Sequence, residues 1–582
     1  MDLAGLSDDC RRIYRIKSDG PYTSYGLTSV TTQGEKGRLD PSFTYISGVG
    51  SGARIRVHTN SHENILRGVI TRVLTVKYDA RTVAHRLERD ASIIRRGKDG
   101  IWPEGSTESW KLRTAMAVTG ARSVGYGVPF PPVWAAFDSV SFKDYLRCVV
   151  DGCAASTSVD VMDYHKNYRG RRSTVYRNAG QSLDHVPLTR RDFKIKAFVK
   201  REKLNFTSKE DPDPRIIQPS DPRANTALGR HIRSMEGPIM KSVAKVWGGP
   251  TVTKGYTAFE VGEIIREAWD QFYEPVAVGL DASRYDQTVS VEAQRYEHKF
   301  YLSLVEPRYR RELAQLLEYD ICKDAIAYSD AGKIKYKLPG SRGSGSMTTG
   351  MGNCIIMTAM VYSWRRSCGV PFRLINNGDD CVAIMEKRDL HRFQHGLYEH
   401  FCDLGFTIEA EEPVYELEHV KFCQAAPLYD GQRWRVVRDP HVTLSKDAVC
   451  LLPNLTAESY ATWLDSVGKC GLSLAGDMPV LCEYYKMFVR SAQDIARTRN
   501  KVAGHALLES GMIRLAAGLE PRYSSPTPEA RASFAVAFGI LPETQLELER
   551  YYRMSNVSSN QTPESGTSGI WFNSVGPMGL LG

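Results

Sequence analysis

The chain has 582 residues and a mass of 65.2 kDa, room for about three or four ordinary domains or one large enzyme of several lobes. Hydrophobic residues make up 42% and charged residues 25%, which excludes a disordered chain and a fibrous repeat. The formal charge of +9 fits a polyanion-binding protein without identifying one.

In chain order, the first 60 residues are rich in Gly, Ser, Thr and Tyr and read as short strands and loops. Ser61 to Arg96 turns helix-like, with Ile65, Val69, Val73 and Val76 among basic residues. Gly97–Ser109 and Thr119–Pro132 are loops by their Gly and Pro content. Lys194 to Lys203 alternates cations with apolar residues, a strand with one basic face, and an Asp/Pro-rich stretch follows. An apolar strand is predicted over Pro275–Leu280, with helices over Val291–Val305 and Thr348–Trp364. A hairpin is predicted over Arg373–Met385 and a helix over Arg388–Leu404. Past Pro440 the spacing gives helices at Ser459–Val467, Val480–Arg490 and Glu529–Phe538, and from Ser555 the composition is that of a disordered tail. No run of about 18 apolar residues predicts a transmembrane helix, and MDLAGLSDDCRRIYRIK lacks the order of a signal peptide. The twelve cysteines, scattered and without a CxxC pair, read as reduced thiols of a cytosolic protein.

Three segments concentrate chemistry. In Val276-Ala-Val-Gly-Leu-Asp281, an apolar strand ends in an acid, and Asp286 lies five residues on, able to face the same cleft. In Leu374-Ile-Asn-Asn-Gly-Asp-Asp-Cys-Val-Ala-Ile384, two apolar runs flank a turn that needs positive φ at Asn or Gly and carries Asp379 and Asp380. Adjacent acids repel and are best tolerated beside divalent cations, so Asp281 and Asp379 could bridge two hard ions for phosphoryl transfer. Alone, an Asn-Gly-Asp-Asp hairpin is more often a solvated turn, and Asp-x-x-x-x-Asp is a weak signal. The pair is specific because a Gly/Ser loop, Gly340 to Asn353, lies between them and runs into an apolar helix. Upstream, the basic strand and Asp213-Pro-Arg-Ile-Ile-Gln-Pro219 could neutralise a triphosphate, although a charge run is ordinarily a solvated face.

The order of these segments resembles the viral RNA-dependent RNA polymerases of the tombusvirus type and, more distantly, those of hepaciviruses and pestiviruses. The resemblance runs from about Tyr164 to Arg490 and rests on YRGRRSTVYRNAGQSL (168–183), FVKREK (198–203), PRIIQPSDPR (214–223), GGPTVTKGY (248–256), GLDASRYDQTVS (279–290), INNGDDCVAI (375–384), EHVKFCQAAP (418–427) and WLDSVGKCGLSLAGDMPV (463–480). It implies an α+β right-hand fold of fingers, palm and thumb, the palm a small antiparallel sheet backed by helices. The expected segments are an N-terminal extension (1–110), fingers (111–273), palm (274–439, with an insertion near 306–339), thumb (440–554) and tail (555–582).

By the same resemblance, Asp281, Asp379 and Asp380 hold two Mg²⁺ or Mn²⁺ ions, and Asp286, Ser344, Thr349 and Asn353 read the ribose 2′-hydroxyl. Lys200, Lys203 and Arg215 lie over the triphosphate, Gly125 and Tyr126 line the template path, and Phe422, Cys423 and Gln424 form a primer-grip hairpin. The implied partners are an RNA template, nascent RNA and NTPs, with viral or host replication factors. The implied place is the host cytoplasm at membrane-associated sites, reached through a partner. Polar Asp286 and the Gly-Asp-Asp turn disfavour a reverse transcriptase, and three intact acids disfavour a non-catalytic subunit. Ser346-Met-Thr-Thr349 departs from the Asp-Met-Asn-Thr run usual in plant-virus members. Lys387, just past the hairpin, is a candidate general acid.

Overall fold

The computed structural model describes residues 137–154, 156–200, 204–205, 214–329, 332–448, 450, 456–495, 512–561 and 571–574, with short pieces at 43–47, 54–58, 60–61, 64–65 and 68. The expectations for Gly125, Tyr126 and Lys203, and for most of residues 1–110, lie outside the described residues.

Strands β1 (Phe43–Ser47) and β2 (Arg54–His58) pair antiparallel, and helices α1 (Val140–Asp151) and α2 (Gly170–His185) follow. The basic segment forms β3 (Ile195–Val199), in which Ile195, Ala197 and Val199 are buried. Lys194, Lys196 and Phe198 face outward, so the basic face carries one aromatic ring. β4 (Leu204–Asn205) joins β2, and β5 (Ile216–Ile217) joins β3. Next come α3 (Pro222–Ile232), started by the Asp221 carboxylate accepting from Arg223 N, α4 (Glu236–Trp247) and α5 (Ala258–Trp269). Thr257 and Glu260 close a reciprocal capping box at the start of α5, satisfying donors that the helix leaves open.

The apolar run predicted at 275–280 is β6 (Pro275–Ala282), followed by a single turn, α6 (Tyr285–Thr288), and by α7 (Val291–Leu304). After α8 (Arg310–Ile321), β7 (Cys322–Ser329) and β8 (Gly332–Pro339) form a hairpin within the expected insertion. β7 runs parallel to β3, giving the sheet order β5-β3-β7-β8. Helix α9 (Thr349–Cys368) leads into β9 (Phe372–Asn376) and β10 (Cys381–Glu386), the predicted hairpin.

The single helix expected over Arg388–Leu404 is instead two, α10 (Leu390–Gln394) and α11 (Leu397–Asp403). Gly396 between them takes φ 84°, a left-handed conformation that breaks the helical hydrogen-bond ladder. β11 (Ile408–Ala410) completes a four-stranded antiparallel sheet in the order β11-β6-β10-β9.

Both faces of that sheet are covered, which is why its strands read as near-continuous apolar runs. Val276, Val278, Leu280, Leu374, Cys381, Ala383 and Met385 point into one core with Ile355, Ile356 and Met357 of α9. Ala277, Ile375, Val382 and Ile384 point the other way, against Val261, Ile264 and Ile265 of α5. The period-two alternation is present, but each face meets a helix and not water. The first of these cores runs without interruption from Phe137 and Tyr145 to Phe406 and Ile408, across the boundary expected at 273/274.

A second body is built from β12 (Ala425–Tyr429) and β13 (Trp434–Arg438), α12 (Pro440–Lys446), α13 (Ala457–Ala475), α14 (Leu481–Ile495), α15 (Met512–Leu515), α16 (Pro528–Phe538) and α17 (Pro542–Met554). Its core joins Ala426, Leu428 and Val437 to Trp463, Tyr485 and Phe488. The tail expected to be disordered holds an antiparallel pair, β14 (Ser558–Gln561) and β15 (Trp571–Ser574). Val557 just before it is buried and donates its N–H to Ser491 Oγ at 2.7 Å, which ties the start of the tail to α14. Among the described residues no helix is long and apolar enough to cross a membrane, and the eleven described cysteines are free.

Candidate active site

The acids meet at one end of the central sheet. Cys381 pairs with Leu280 across β10 and β6, so the next residues out, Asp380 and Asp281, leave the ladder side by side. On the far side of β6, Asp281 is opposite Glu409. The turn is closed by Asn377 N donating to Asp380 O at 2.9 Å, and Gly378 supplies the positive φ at 100°. Asn376, fully buried, fastens the turn from inside: its Nδ2 donates to Gly378 O at 2.7 Å.

Thr251 to Lys254 bind the turn from the edge. Asn376 N donates to Thr251 O (2.8 Å), Thr253 N donates to Asn376 O (2.9 Å), and Lys254 Nζ donates to Asn377 Oδ1 (2.9 Å). Lys254, within GGPTVTKGY, carries no local signal of this role, because its partner is more than 100 residues away.

Asp379 and Asp380 are exposed at the turn, yet the surrounding protein strips water from them and raises both carboxyls above the usual range. Repulsion adds to this: Asp286, Asp380 and Asp281 push Asp379 up, and Asp281 pushes Asp380 up. Hydrogen bonding to Cys423 and the charge of Lys254 oppose the shift at Asp380. Burial also raises Glu411, a further acid coupled to Asp281 and Asp380 that the sequence did not single out. Among the described residues no group of three His, Cys, Asp or Glu side chains is arranged as a ready-made cage for a metal ion. What the site offers is a set of mutually repelling oxygen donors short of positive charge, the donor chemistry that hard divalent cations take.

Asp286 is brought back toward the acids by Arg284, which takes the left-handed φ of 53°. Asn353, on the first turns of α9, donates from Nδ2 to Asp286 Oδ1 at 2.8 Å. The other two ribose candidates also bond to the backbone: Thr349 Oγ1 donates to Gly343 O, and Ser344 Oγ accepts from Gln218 N at 3.0 Å. That last bond, with the bridge between Pro219 and Gly345, docks the basic sheet onto the Gly/Ser loop. Lys200 and Arg215 sit side by side there, joined by Lys200 N donating to Arg215 O at 2.7 Å.

Phe422 is buried, while Cys423 and Gln424 take φ of 53° and 59° in a two-residue turn, a conformation rare outside Gly, Asn and Asp. Asn377 Nδ2 donates to Cys423 Sγ at 3.1 Å, so this turn touches the acidic one. Lys387 does not belong to the site. Its N–H donates to Glu274 O at the opposite end of the β6–β10 ladder, about 24 Å from Asp380 at some 3.4 Å per residue.

Residues 125–560 match the family model described as viral RNA dependent RNA polymerase. The chain belongs to this family. It is 39% identical over 512 residues to the RNA-directed RNA polymerase of Tobacco necrosis virus (strain A), covering 87% of this chain and 63% of that one. It is 37% identical over 525 residues to that of Maize chlorotic mottle virus, 90% and 49% of the respective chains. With that of Turnip crinkle virus the figures are 36% over 508 residues, 87% and 59%. The chain thus spans about half to just under two thirds of the length of these relatives.

Proposed function

We propose that the chain carries out template-directed RNA synthesis, replicating and transcribing a positive-strand RNA genome from NTPs. The observation that carries the reading is the meeting of Asp281, Asp379 and Asp380 at one sheet end, beside the Asp286–Asn353 pair. Asp281, Asp379 and Asp380 would hold two Mg²⁺ or Mn²⁺ ions, which when bound supply activation of the attacking hydroxyl and neutralisation of the leaving oxygens. The chain's own groups do the rest. Asp286 accepts from the ribose 2′-hydroxyl and Asn353 donates to it, and Ser344 and Thr349 complete the set that reads the ribose. Lys200 and Arg215, joined by Lys203, neutralise the triphosphate and the departing pyrophosphate. The Phe422–Gln424 turn, bonded to Asn377, steadies the 3′ end against the acids. Gly125 and Tyr126 border the template.

In this reading β6, β9, β10 and β11 form the palm, within 274–439, and the β7–β8 hairpin is its insertion. Residues 111–273 are the fingers, 440–554 the thumb, 1–110 an extension and 555–582 a tail. RNA template, nascent RNA and NTPs are the partners. Viral or host factors would bring the protein to membranes of the host cytoplasm. Asp379→Ala tests the reading: nucleotide incorporation on an RNA template should vanish with Mg²⁺ and with Mn²⁺ while RNA binding persists. Incorporation retained with Mn²⁺ would refute the two-ion assignment.

A further inference from the structure

Behind the Asp286–Asn353 pair lies a buried ionic network that the proposed chemistry does not use. Arg342 is 1% exposed and Glu297 fully buried, and the two form an ion pair through Nη2. Tyr301 OH donates to the other oxygen of Glu297 at 2.9 Å. Arg342 Nη1 donates to Thr348 Oγ1 at 3.0 Å, and Arg342 Nε donates to Asn353 Oδ1 at 2.9 Å. Thr348 and Ser346 are in turn held by Asp320, the latter at 2.8 Å. Gly352 is required for this packing, because a Cβ there would lie under 3.0 Å from the Glu297 carboxyl.

The direction of these bonds matters. A guanidinium has donors and no acceptor, so the amide atom that faces Arg342 must be the carbonyl oxygen of Asn353. The NH₂ of Asn353 is thereby turned toward Asp286, whose acceptor-only carboxylate agrees with that orientation, and one of its hydrogens remains for a ligand. A 2′-hydroxyl lodged between them donates to the carboxylate and accepts from the amide. Were the amide flipped, its oxygen would face the carboxylate and could donate nothing.

We infer that Arg342, clamped by Glu297, is a specificity-determining positioning residue that fixes the amide polarity of Asn353 and so sets discrimination for ribose over deoxyribose. The inference rests on the polymerase reading above. It is tested on the full chain with a primed RNA template, comparing kcat/KM for ATP, 2′-deoxyATP and 3′-deoxyATP. In Glu297→Gln/Arg342→Gln, which removes both charges together, the glutamine can donate or accept, so the amide is oriented from the Asp286 side alone. The ATP to 2′-deoxyATP ratio should fall about tenfold, the worth of one hydrogen bond, with the ATP to 3′-deoxyATP ratio unchanged. Arg342→Lys, still donor-only, should keep most of the discrimination. A 2′ ratio within twofold of wild type, with equal losses for all three nucleotides, would show a merely structural role and overturn the inference. Should the double variant fail to fold by circular dichroism, Tyr301→Phe, which loosens Glu297 alone, replaces it. A two- to threefold fall in the 2′ ratio then supports the inference and an unchanged ratio overturns it. If wild type itself incorporates nothing, the polymerase reading fails, an outcome distinct from either of these.

Discussion

Lys254 offers the sharpest perturbation of the turn that carries Asp379 and Asp380. Its ammonium donates to Asn377 Oδ1 at 2.9 Å and approaches Asn377 O at 3.5 Å, from a segment already bonded to Asn376 on both backbone sides. A hydrogen bond to a charged group contributes about 1.5–3 kcal/mol, and half-burial of Lys254 places it near the lower end, about 1.5 kcal/mol. That is roughly a tenfold bias toward the turn geometry that presents the acids. Catalysis multiplies the effect, because misplacing a reacting group by about 1 Å can cost on the order of 100-fold. Lys254→Met should therefore lower kcat for nucleotide incorporation by roughly 10- to 100-fold. KM for the NTP should change by less than about threefold, since the bond is to the turn. Lys254→Arg, able to make the same bond, should recover most of the rate. Steady-state incorporation on a primed homopolymer template measures both constants. A kcat within twofold of wild type, or a loss confined to KM, would show that the ammonium grips the nucleotide or nothing at all, and the reasoning would be refuted.

Two further outcomes concern stability. Gly471→Ala puts a Cβ under 3.0 Å from the Tyr485 ring where α13 and α14 pack, so thermal unfolding should show a loss of about 1–3 kcal/mol; an unchanged midpoint would mean that the helices separate freely. The His231 ring and the Arg230 guanidinium hold Glu312 at about 2, below its ordinary 4.5. Because the folded value is the lower one, its contribution is complete above about 4.5 and fades as pH falls toward 2, so Glu312→Gln should flatten the acid limb of a denaturation-midpoint profile over that range. An acid limb identical to wild type would dismiss the pair.

What the sequence made legible was local. An apolar run ending in an acid and a turn demanding positive φ specify β6, β10 and the Asn377–Asp380 turn almost by themselves, since each needs only neighbouring residues. The covering of both sheet faces was not legible, because burial of Val382 and Ile384 depends on α5, more than 100 residues upstream. The break at Gly396 was overridden by helical spacing on either side, where one left-handed residue outweighs several good helix formers. The hydroxyls of the Gly/Ser loop also have partners that local spacing does not disclose: Ser344 Oγ accepts from Gln218 N, and Thr349 Oγ1 donates to Gly343 O. Lys387 follows the acids closely in the chain, which suggests a place beside them. A strand of six residues carries it to the other end of the sheet.

The polar groups buried around the acids share a logic that charge totals cannot reveal. A buried ion pair is often no more stabilising than a well-packed apolar pair of the same volume, so Arg342 and Glu297 are poorly explained by stability. Their value is direction. Arg342 spends its fork on Asn353, Thr348 and Glu297, each of which must present an acceptor, and together with the acceptor-only carboxylate of Asp286 that fixes the polarity of every bond between them. Asn376 does the same for the neighbouring turn, donating to Gly378 O while its own oxygen accepts from Gly378 N at 3.3 Å. Two amides of one residue type, each buried and each held between partners of opposite hydrogen-bonding sense, thus orient Asp286 and the Asp379–Asp380 turn. Neither amide could be exchanged for an isosteric leucine without releasing the groups it aligns, whereas the apolar faces of β9 and β10 tolerate substitutions that conserve volume.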